Sequence, residues 1–366
     1  MVKTKKLFKI AIVTFSVVAV SIIILAVWIS RDNYVPQKLG NSVSAALNNR
    51  YGSSCSIVEN DKYIFYVNCV KDSFPLIRID KNSGEKKLLK KDIGDEYGSA
   101  LFIYKNTLIH TKSEGLGDYS IYSCDFDGKN EKLIKKESSS PHMVIDDYIY
   151  APNRDNALTR ISLINGKKRT LNNKECNNFA GIDKKTKALY FETGALKMVK
   201  VKINNRKASI GIKNTTEAIS FGSINGEGKK AKRILGIANG SIWLRGKDVD
   251  SIYKVEEIKG DYQTKSVFKK PGVNLVDNSI MEKDKIYYVS HDESKLIMFD
   301  IKTGEDRVIY TTTNRNLKVL AAIGDNILIS EWNEDDKHVN YNSAVDDKAV
   351  RQYYINNSGK VLYELD

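Results

Sequence analysis

The sequence predicts an all-β fold: a seven-bladed β-propeller behind one N-terminal transmembrane helix, with six or eight blades as the open alternatives. Three observations carry that expectation. Stretches of alternating apolar and polar residues recur along the chain, and the central aliphatic residues of successive copies are Ile64, Leu108, Ile149, Leu189, Ile242, Ile286 and Ile327. Their separations are 44, 41, 40, 53, 44 and 41 residues, the period of a repeat that contributes several short strands per copy. Glycines recur at one point of the copies: Gly84, Gly128, Gly166, Gly260, Gly304 and Gly359 each follow a third strand, where a tight hairpin needs positive φ. Finally, an uncharged run begins at Ile10 and ends at Ile29.

That run, "IAIVTFSVVAVSIIILAVWI", has only Thr14, Ser16 and Ser21 as polar residues. At 1.5 Å per residue it spans roughly the 30 Å hydrocarbon core of a bilayer. Trp28 sits at its far end, where an amphipathic ring favours the interface, and Lys3, Lys5, Lys6 and Lys9 precede it. By the positive-inside bias these lysines stay cytoplasmic and everything after Arg31 lies outside. The competing reading is a cleaved signal peptide, whose apolar region is shorter and ends in a small-x-small site; "AVWISRDN" supplies no such site. The expected organisation is a basic cytoplasmic segment over residues 1–9, an anchor over 10–30, a tether over 31–52 and a propeller domain over 53–366.

Within the propeller region the clearest copy is "DKIYYVSHDESKLIMFDIKTGEDRVIY", residues 284–310. A short apolar segment precedes the first alternating strand of each copy: "CSIVEN", "ALFIYKN", "HMVIDD", "FAGIDK", "ILGIANG", "NSIMEKD" and "LAAIGDN". Rich in small residues, these suit the innermost strand, and they bring each copy to four strands. One blade cannot cover both of its faces, so neighbours must do it. A β-sandwich is the alternative, and it gives no reason for a constant repeat. The long fourth-to-fifth spacing places an inserted hairpin or long loop in residues 209–233. "NSVSAAL" in the tether is a candidate extra outer strand closing the ring.

The aromatic strand followed by an Asp-x-x-[Ser/Thr]-Gly turn resembles bacterial membrane-anchored propellers of unknown function, similar to the YWTD propeller of low-density-lipoprotein receptors. The residues that carry the resemblance are Ile286, Tyr287 and Tyr288 with Asp300, Thr303 and Gly304, and Tyr63–Tyr66 with Asp80, Ser83 and Gly84. The receptor family has six blades and a Tyr-Trp-Thr-Asp quartet, and this chain departs from both. The resemblance implies a propeller with a general binding role and no particular ligand.

Charge and chemistry bound the function. Setting Lys3, Lys5, Lys6, Lys9, Arg31 and Asp32 aside from 58 basic and 45 acidic residues leaves 53 against 44. A basic excess on an exported domain points to an anionic surface, such as lipid headgroups or wall polymer, or simply to solubility; nucleic acid is excluded by compartment and by lack of a motif. Cys55 and Cys69 flank a hairpin turn and are a possible disulfide in an oxidising compartment. Cys124 and Cys176 read as buried small hydrophobes. "GSINGEGKK" fails the phosphate-loop pattern and reads as a basic turn, with Lys229, Lys230, Lys232 and Arg233 as candidate contacts to an anionic surface. His110, His142, His291 and His338 form no metal-ligand spacing, His110 reading as structural, and no GxSxG elbow occurs. No catalytic residue, metal or cofactor is assigned.

The most distinctive loop is "EWNEDDKHVNYNSAVDDK", residues 331–348. It joins a second strand to a third, a connection that opens on the ligand-binding side of a propeller. Glu331, Trp332, Asp335, Asp336, His338 and Tyr341 are its candidate partner-contact residues, with "KSEGLGDY" (residues 112–119) next. The reading is a binding or scaffolding module for an envelope partner or anionic ligand. The alternative is a propeller lyase or glycoside hydrolase acting on wall or carbohydrate, which needs carboxylates or histidines converging at the axis.

Overall fold

The computed structural model describes residues 16, 18–23, 57–68, 74–93, 100–115, 118–137, 143–145, 147–176, 178–183, 188–194, 197–202, 215–220, 231–238, 241–246, 251–258, 261–269, 273–313, 315–333 and 351–365. Within them lie seven four-stranded antiparallel sheets, each drawn from one contiguous stretch. The first contains Ile57–Glu59, Tyr63–Val67, Leu76–Asp80 and Lys86–Lys90; the second Leu101–Tyr104, Thr107–Gly115, Asp118–Cys124 and Lys132–Glu137; the third Met143–Ile145, Tyr148–Pro152, Ala157–Ser162 and Lys168–Glu175. The fourth contains Asn178–Asp183, Ala188–Gly194, Lys197–Lys202 and Thr215–Ser220; the fifth Ala231–Ala238, Ser241–Gly246, Ser251–Ile258 and Asp261–Lys269. The sixth is Val273–Glu282, Lys285–Ser290, Lys295–Asp300 and Asp306–Thr311, and the seventh Asn316–Ile323, Asn326–Trp332, Arg351–Asn356 and Val361–Glu364.

Strands pair in chain order within every sheet, and first strands pack on one another. Ile57–Glu59 meets Leu101–Tyr104, Val273–Glu282 meets Asn316–Ile323, and the last returns to the first. This is a β-propeller, and all seven apolar segments picked out in the sequence hold first strands.

Burial follows from that packing. Second strands are covered on both faces, so they read as continuous apolar runs rather than strict alternation. In Tyr63–Val67 and Lys285–Ser290 the four central or final residues are all buried, whereas the outermost Lys86–Lys90 is exposed or half-buried throughout. The core is a series of layers between sheets. Phe65, Val67 and Leu76 of the first sheet interlock with Leu101, Leu108 and Cys124 of the second. Tyr287, Leu296 and Met298 of the sixth interlock with Leu317, Val319, Ile327 and Ile329 of the seventh. Each such side chain contributes about 1.5–3 kcal/mol by leaving water.

The first and last sheets join through side chains. Ile57, Ile64, Tyr66 and Ile79 share a cluster with Leu320, Ala321, Leu328, Tyr354 and Leu365. Tyr66 Oη donates to the Leu365 carbonyl at 3.1 Å, Asn326 Nδ2 to Glu59 Oε1 at 3.2 Å, and Tyr363 Oη to the Lys81 carbonyl at 3.0 Å. Both sheets are complete from their own stretches, and "NSVSAAL" lies outside the described residues.

The recurrent turns are self-capping. Asp80 Oδ1 accepts from the backbone N–H groups of Asn82 (2.9 Å) and Ser83 (3.2 Å), and Asp300 Oδ1 does the same for Lys302 (2.8 Å) and Thr303 (3.2 Å). Asp125 and Asn356 hold the matching turns of the second and seventh sheets. Gly84, Gly128, Gly166, Gly304 and Gly359 all have positive φ, between 67° and 84°. Asp-x-x-[Ser/Thr]-Gly is therefore a turn motif.

Two expectations change, and a third lies mostly outside the described residues. Residues 209–233 hold no inserted hairpin among the described residues: Thr215–Ser220 is the fourth sheet's outermost strand and Ala231–Ala238 opens the fifth sheet. The extra length falls on both sides of Thr215–Ser220. Glu331 and Trp332 end a strand instead of opening a loop. Ser16 and residues 18–23 are helical, with Val18, Val20, Ile22 and Ile23 exposed; the rest of the expected span lies outside the described residues. Among those described, no helix is long and apolar enough to cross a membrane.

Candidate functional site

The junction of the sixth and seventh sheets gathers the site. Asn326–Trp332 brings Glu331 and Trp332 to the end of a second strand, opposite Leu317 and Asn316 of the first. Asp306–Thr311 of the neighbouring sheet delivers Tyr310, and the turn after it delivers Arg315. Glu331 is only 5% exposed. Tyr310 Oη donates to Glu331 Oε1 at 2.8 Å, and Arg315 Nη1 lies 3.8 Å from Oε2. Burial, reinforced by the Glu331 carboxylate, pushes the Tyr310 phenol well above its usual range. Tyr310 therefore stays protonated and acts as a fixed donor. On the other side Arg351 stands opposite Glu331 in register, and buried Gln352 opposite Ser330.

This cluster fixes the stem from which residues 334–350 depart. The corresponding connections of the first, second, third, fourth, fifth and sixth sheets are residues 68–75, 116–117, 153–156, 195–196, 247–250 and 291–294, so this one is exceptional. Glu331 is a buried stem residue and not a solvent-facing ligand, because the sixth sheet covers it. Trp332 is likewise buried. Asp335, Asp336, His338 and Tyr341 lie outside the described residues.

Of the four basic candidates, Lys229 and Lys230 also lie outside them. Lys232 and Arg233 do not sit in a turn: they belong to the innermost strand Ala231–Ala238, with Arg233 opposite Arg245. The apolar run "ILGIA" that follows extends backward to include them.

A second polar cluster lies between the first two sheets. His110 is buried, stacks on Tyr122 with ring centroids 5.6 Å apart, and places Nε2 3.0 Å from Glu131 Oε1. Lys90 of the first sheet reaches the same oxygen at 2.8 Å. Burial lowers the His110 pKa despite Glu131, and burial pushes the neighbouring Cys124 thiol up to about 11. Cys124 and Cys176 are both buried, as expected, while Cys55 and Cys69 lie outside the described residues. Exposed His291 occupies the turn after Lys285–Ser290.

Along the axis, carboxylates with described side chains sit at strand ends and are tied down. Glu59 meets Lys81 at 2.9 Å as well as Asn326, and Glu282 accepts from the Gly324 N–H at 3.3 Å. The strands themselves present Ile57, Val58, Leu101, Phe102, Met143, Val144, Leu320, Ala321 and Ala322 to the interior. No group of three or more His, Cys, Asp or Glu able to hold a metal ion occurs among the described residues.

Sequence reasoning missed Tyr310, Arg315, Lys90 and Glu131 as site components. Each arrives from a neighbouring sheet or an adjacent turn, so no local motif marks it.

The fold and its junction sites define the chain as a β-propeller protein. No protein-family description matches it and no curated protein does. Solved structures do. The chain is similar to PorZ, a surface component of the type-IX secretion system of Porphyromonas gingivalis, at TM-score 0.50 and 12% identity. That match covers 88% of this chain and 38% of PorZ, so the chain spans well under half of that protein. A quinoprotein alcohol dehydrogenase-like protein of Bacteroides thetaiotaomicron matches at TM-score 0.50 and 12% identity, covering 85% of this chain and 81% of the other. At such identity the likeness concerns fold alone.

Proposed function

We propose that this chain is a membrane-tethered, extracytoplasmic propeller whose seven sheets form the blades of one ring, serving as a binding or scaffolding module for an envelope partner. The observation that carries the binding role is the exceptional connection of residues 334–350. It departs from a stem locked by Glu331, Tyr310 and Arg315, and long connections on a rigid scaffold are where propellers and other repeat folds place recognition. The anchor rests on the uncharged run of residues 10–29 and the lysines before it. PorZ, a bacterial surface component, gives a precedent for the fold at that location.

Full-length chain and a variant with residues 334–350 replaced by a short Gly-Ser linker are immobilised and exposed to envelope extract. The reading expects a protein retained by the first and lost by the second. Identical retention by both abandons this loop as the contact. Fractionation tests the anchor: the chain should resist carbonate extraction from membranes, and a soluble form starting near residue 46 would reveal a cleaved signal instead.

A further inference from the structure

The outermost strands form the perimeter of the fold, and their charge is unevenly shared. Lys86–Lys90, Lys132–Glu137 and Lys168–Glu175, from three successive sheets, carry nine basic residues against two acidic. The other four outermost strands, Thr215–Ser220, Asp261–Lys269, Asp306–Thr311 and Val361–Glu364, carry three against four. Some of the basic charge is spent internally: Lys87 pairs with Asp127 at 2.9 Å, Lys90 with Glu131 at 2.8 Å, and Lys168 with Glu137. Lys132, Lys136 and Arg169 are exposed, as is Lys86, which also has a partner within the fold.

Lysines on an edge strand also block unwanted strand pairing. That need is the same at all seven perimeters, so it does not explain the concentration on three of them. The same arc presents apolar groups. Leu88 is 53% exposed and Leu133 50%, each on its outermost strand, and Ile164, in the turn before the third, is 68% exposed. Val267, Val308 and Val361 are exposed on the outermost strands of the fifth, sixth and seventh sheets, without the strong basic excess beside them.

We propose that the outer edge of the first three sheets docks on an anionic lipid bilayer. The lysines meet headgroup phosphates and Leu88, Leu133 and Ile164 enter the interfacial layer. Charge complementarity supplies the attraction, and basic side chains beside aliphatic ones are the composition of an interfacial surface. Exposed aliphatics occur on other outermost strands too, but only on the first three sheets do they coincide with the basic excess; a bilayer uses both, whereas an anionic wall polymer uses the charge alone. The first of these sheets directly follows the tether segment in the chain. The inference rests on the proposed display outside the membrane, and it adds an orientation, with the ring held by its basic rim and the opposite rim turned away.

The test is site-resolved labelling of the full-length chain with a membrane-impermeant amine reagent. The chain is reconstituted into vesicles of phosphatidylcholine alone or mixed with phosphatidylglycerol. Labelling of Lys86, Lys132 and Lys136 should fall about fivefold or more in the anionic vesicles, the effect of one surface-bound lysine or more. Exposed Lys302 and Lys360, on turns of the sixth and seventh sheets, should be unchanged. Protection should vanish in about 1 M salt, where the Debye length is about 3 Å. Leu88→Ser with Leu133→Ser should weaken protection without altering the melting temperature. Equal labelling in both vesicles, with the chain resisting carbonate, overturns the rim and leaves the anchor standing. Loss of the chain on carbonate washing, with rim lysines still protected in anionic vesicles, overturns the anchor and keeps the rim. Protection in neutral vesicles by soluble poly(glycerol phosphate), matching that of anionic lipid, overturns the bilayer in favour of a polymer.

Discussion

Replacing Gly359 by Ala should damage the protein far more than replacing Gly304, although both occupy the same turn of adjacent sheets. Their φ values are 84° and 75°, so each substitution forces an L side chain into the left-handed region at roughly 1–2 kcal/mol. At Gly304 nothing lies within 4 Å of the added methyl group, and that strain is the whole cost. At Gly359 the methyl group would run into the backbone carbonyl oxygen of Ile309, on the outermost strand of the sixth sheet. Ile309 sits at a bulge held on both sides by the pairs Leu296–Tyr310 and Ile297–Val308, and its buried side chain anchors it, so the two sheets must separate locally. Separation disturbs the packing of buried Ile309 and the bond from Arg307 Nη2 to the Asn357 carbonyl, 3.0 Å long. Overpacking of this kind costs about 1–3 kcal/mol and the bond about 1 more, for a total of about 3–6 kcal/mol with the strain. Gly166 is intermediate, its methyl group falling 2.9 Å from the Ile134 carbonyl oxygen. Urea unfolding of the three variants should rank them Gly359, Gly166, Gly304 from most to least destabilised. Indistinguishable midpoints for Gly359→Ala and Gly304→Ala would refute the reasoning that this turn packs against the preceding sheet.

Other outcomes follow from the two polar clusters. Tyr310→Phe removes the donor to a buried carboxylate and should cost about 1.5–3 kcal/mol, more than Arg315→Ala, whose charge sits 3.8 Å away; the reverse order in denaturant midpoints would contradict the stem described. Because burial lowers the His110 pKa from 6.5, the folded state binds fewer protons there than the unfolded chain. Stability should therefore be full above about pH 6.5 and decline as pH falls through and below it. His110→Gln should flatten that decline between pH 6.5 and 5, and parallel curves would discount His110 as its source. With its thiol pKa near 11, Cys124 should be alkylated at pH 8 on the order of a hundredfold more slowly in native than in denatured protein; comparable rates by peptide mass spectrometry would show the junction to be open.

Much of this was legible in the sequence because it is local. A turn such as Asp80 to Gly84 is specified by five adjacent residues, the carboxylate accepting from the next N–H groups and glycine supplying the positive φ. First strands announce themselves by short apolar runs between polar turns. The site was less legible because burial is decided by a neighbour dozens of residues away. Glu331 and Trp332 sit beside six polar residues in "EWNEDDKH" and read as loop, yet the sixth sheet buries them. Lys232 and Arg233 read as a turn because charge dominates "GKKAKR", and pairing with Ser241–Gly246 overrides it. The uneven charge of the perimeter was present in the composition all along. It becomes visible only when outermost strands are separated from the rest.

Every sheet is built from an unbroken stretch, and the first and last meet without exchanging a strand. No copy therefore depends on another for its own hydrogen-bonded ladder. A recombination event falling between sheets would excise or duplicate a whole unit and leave all remaining ladders intact. The number of sheets could thus change in single steps, and among the described residues the first and last sheets are joined through side chains.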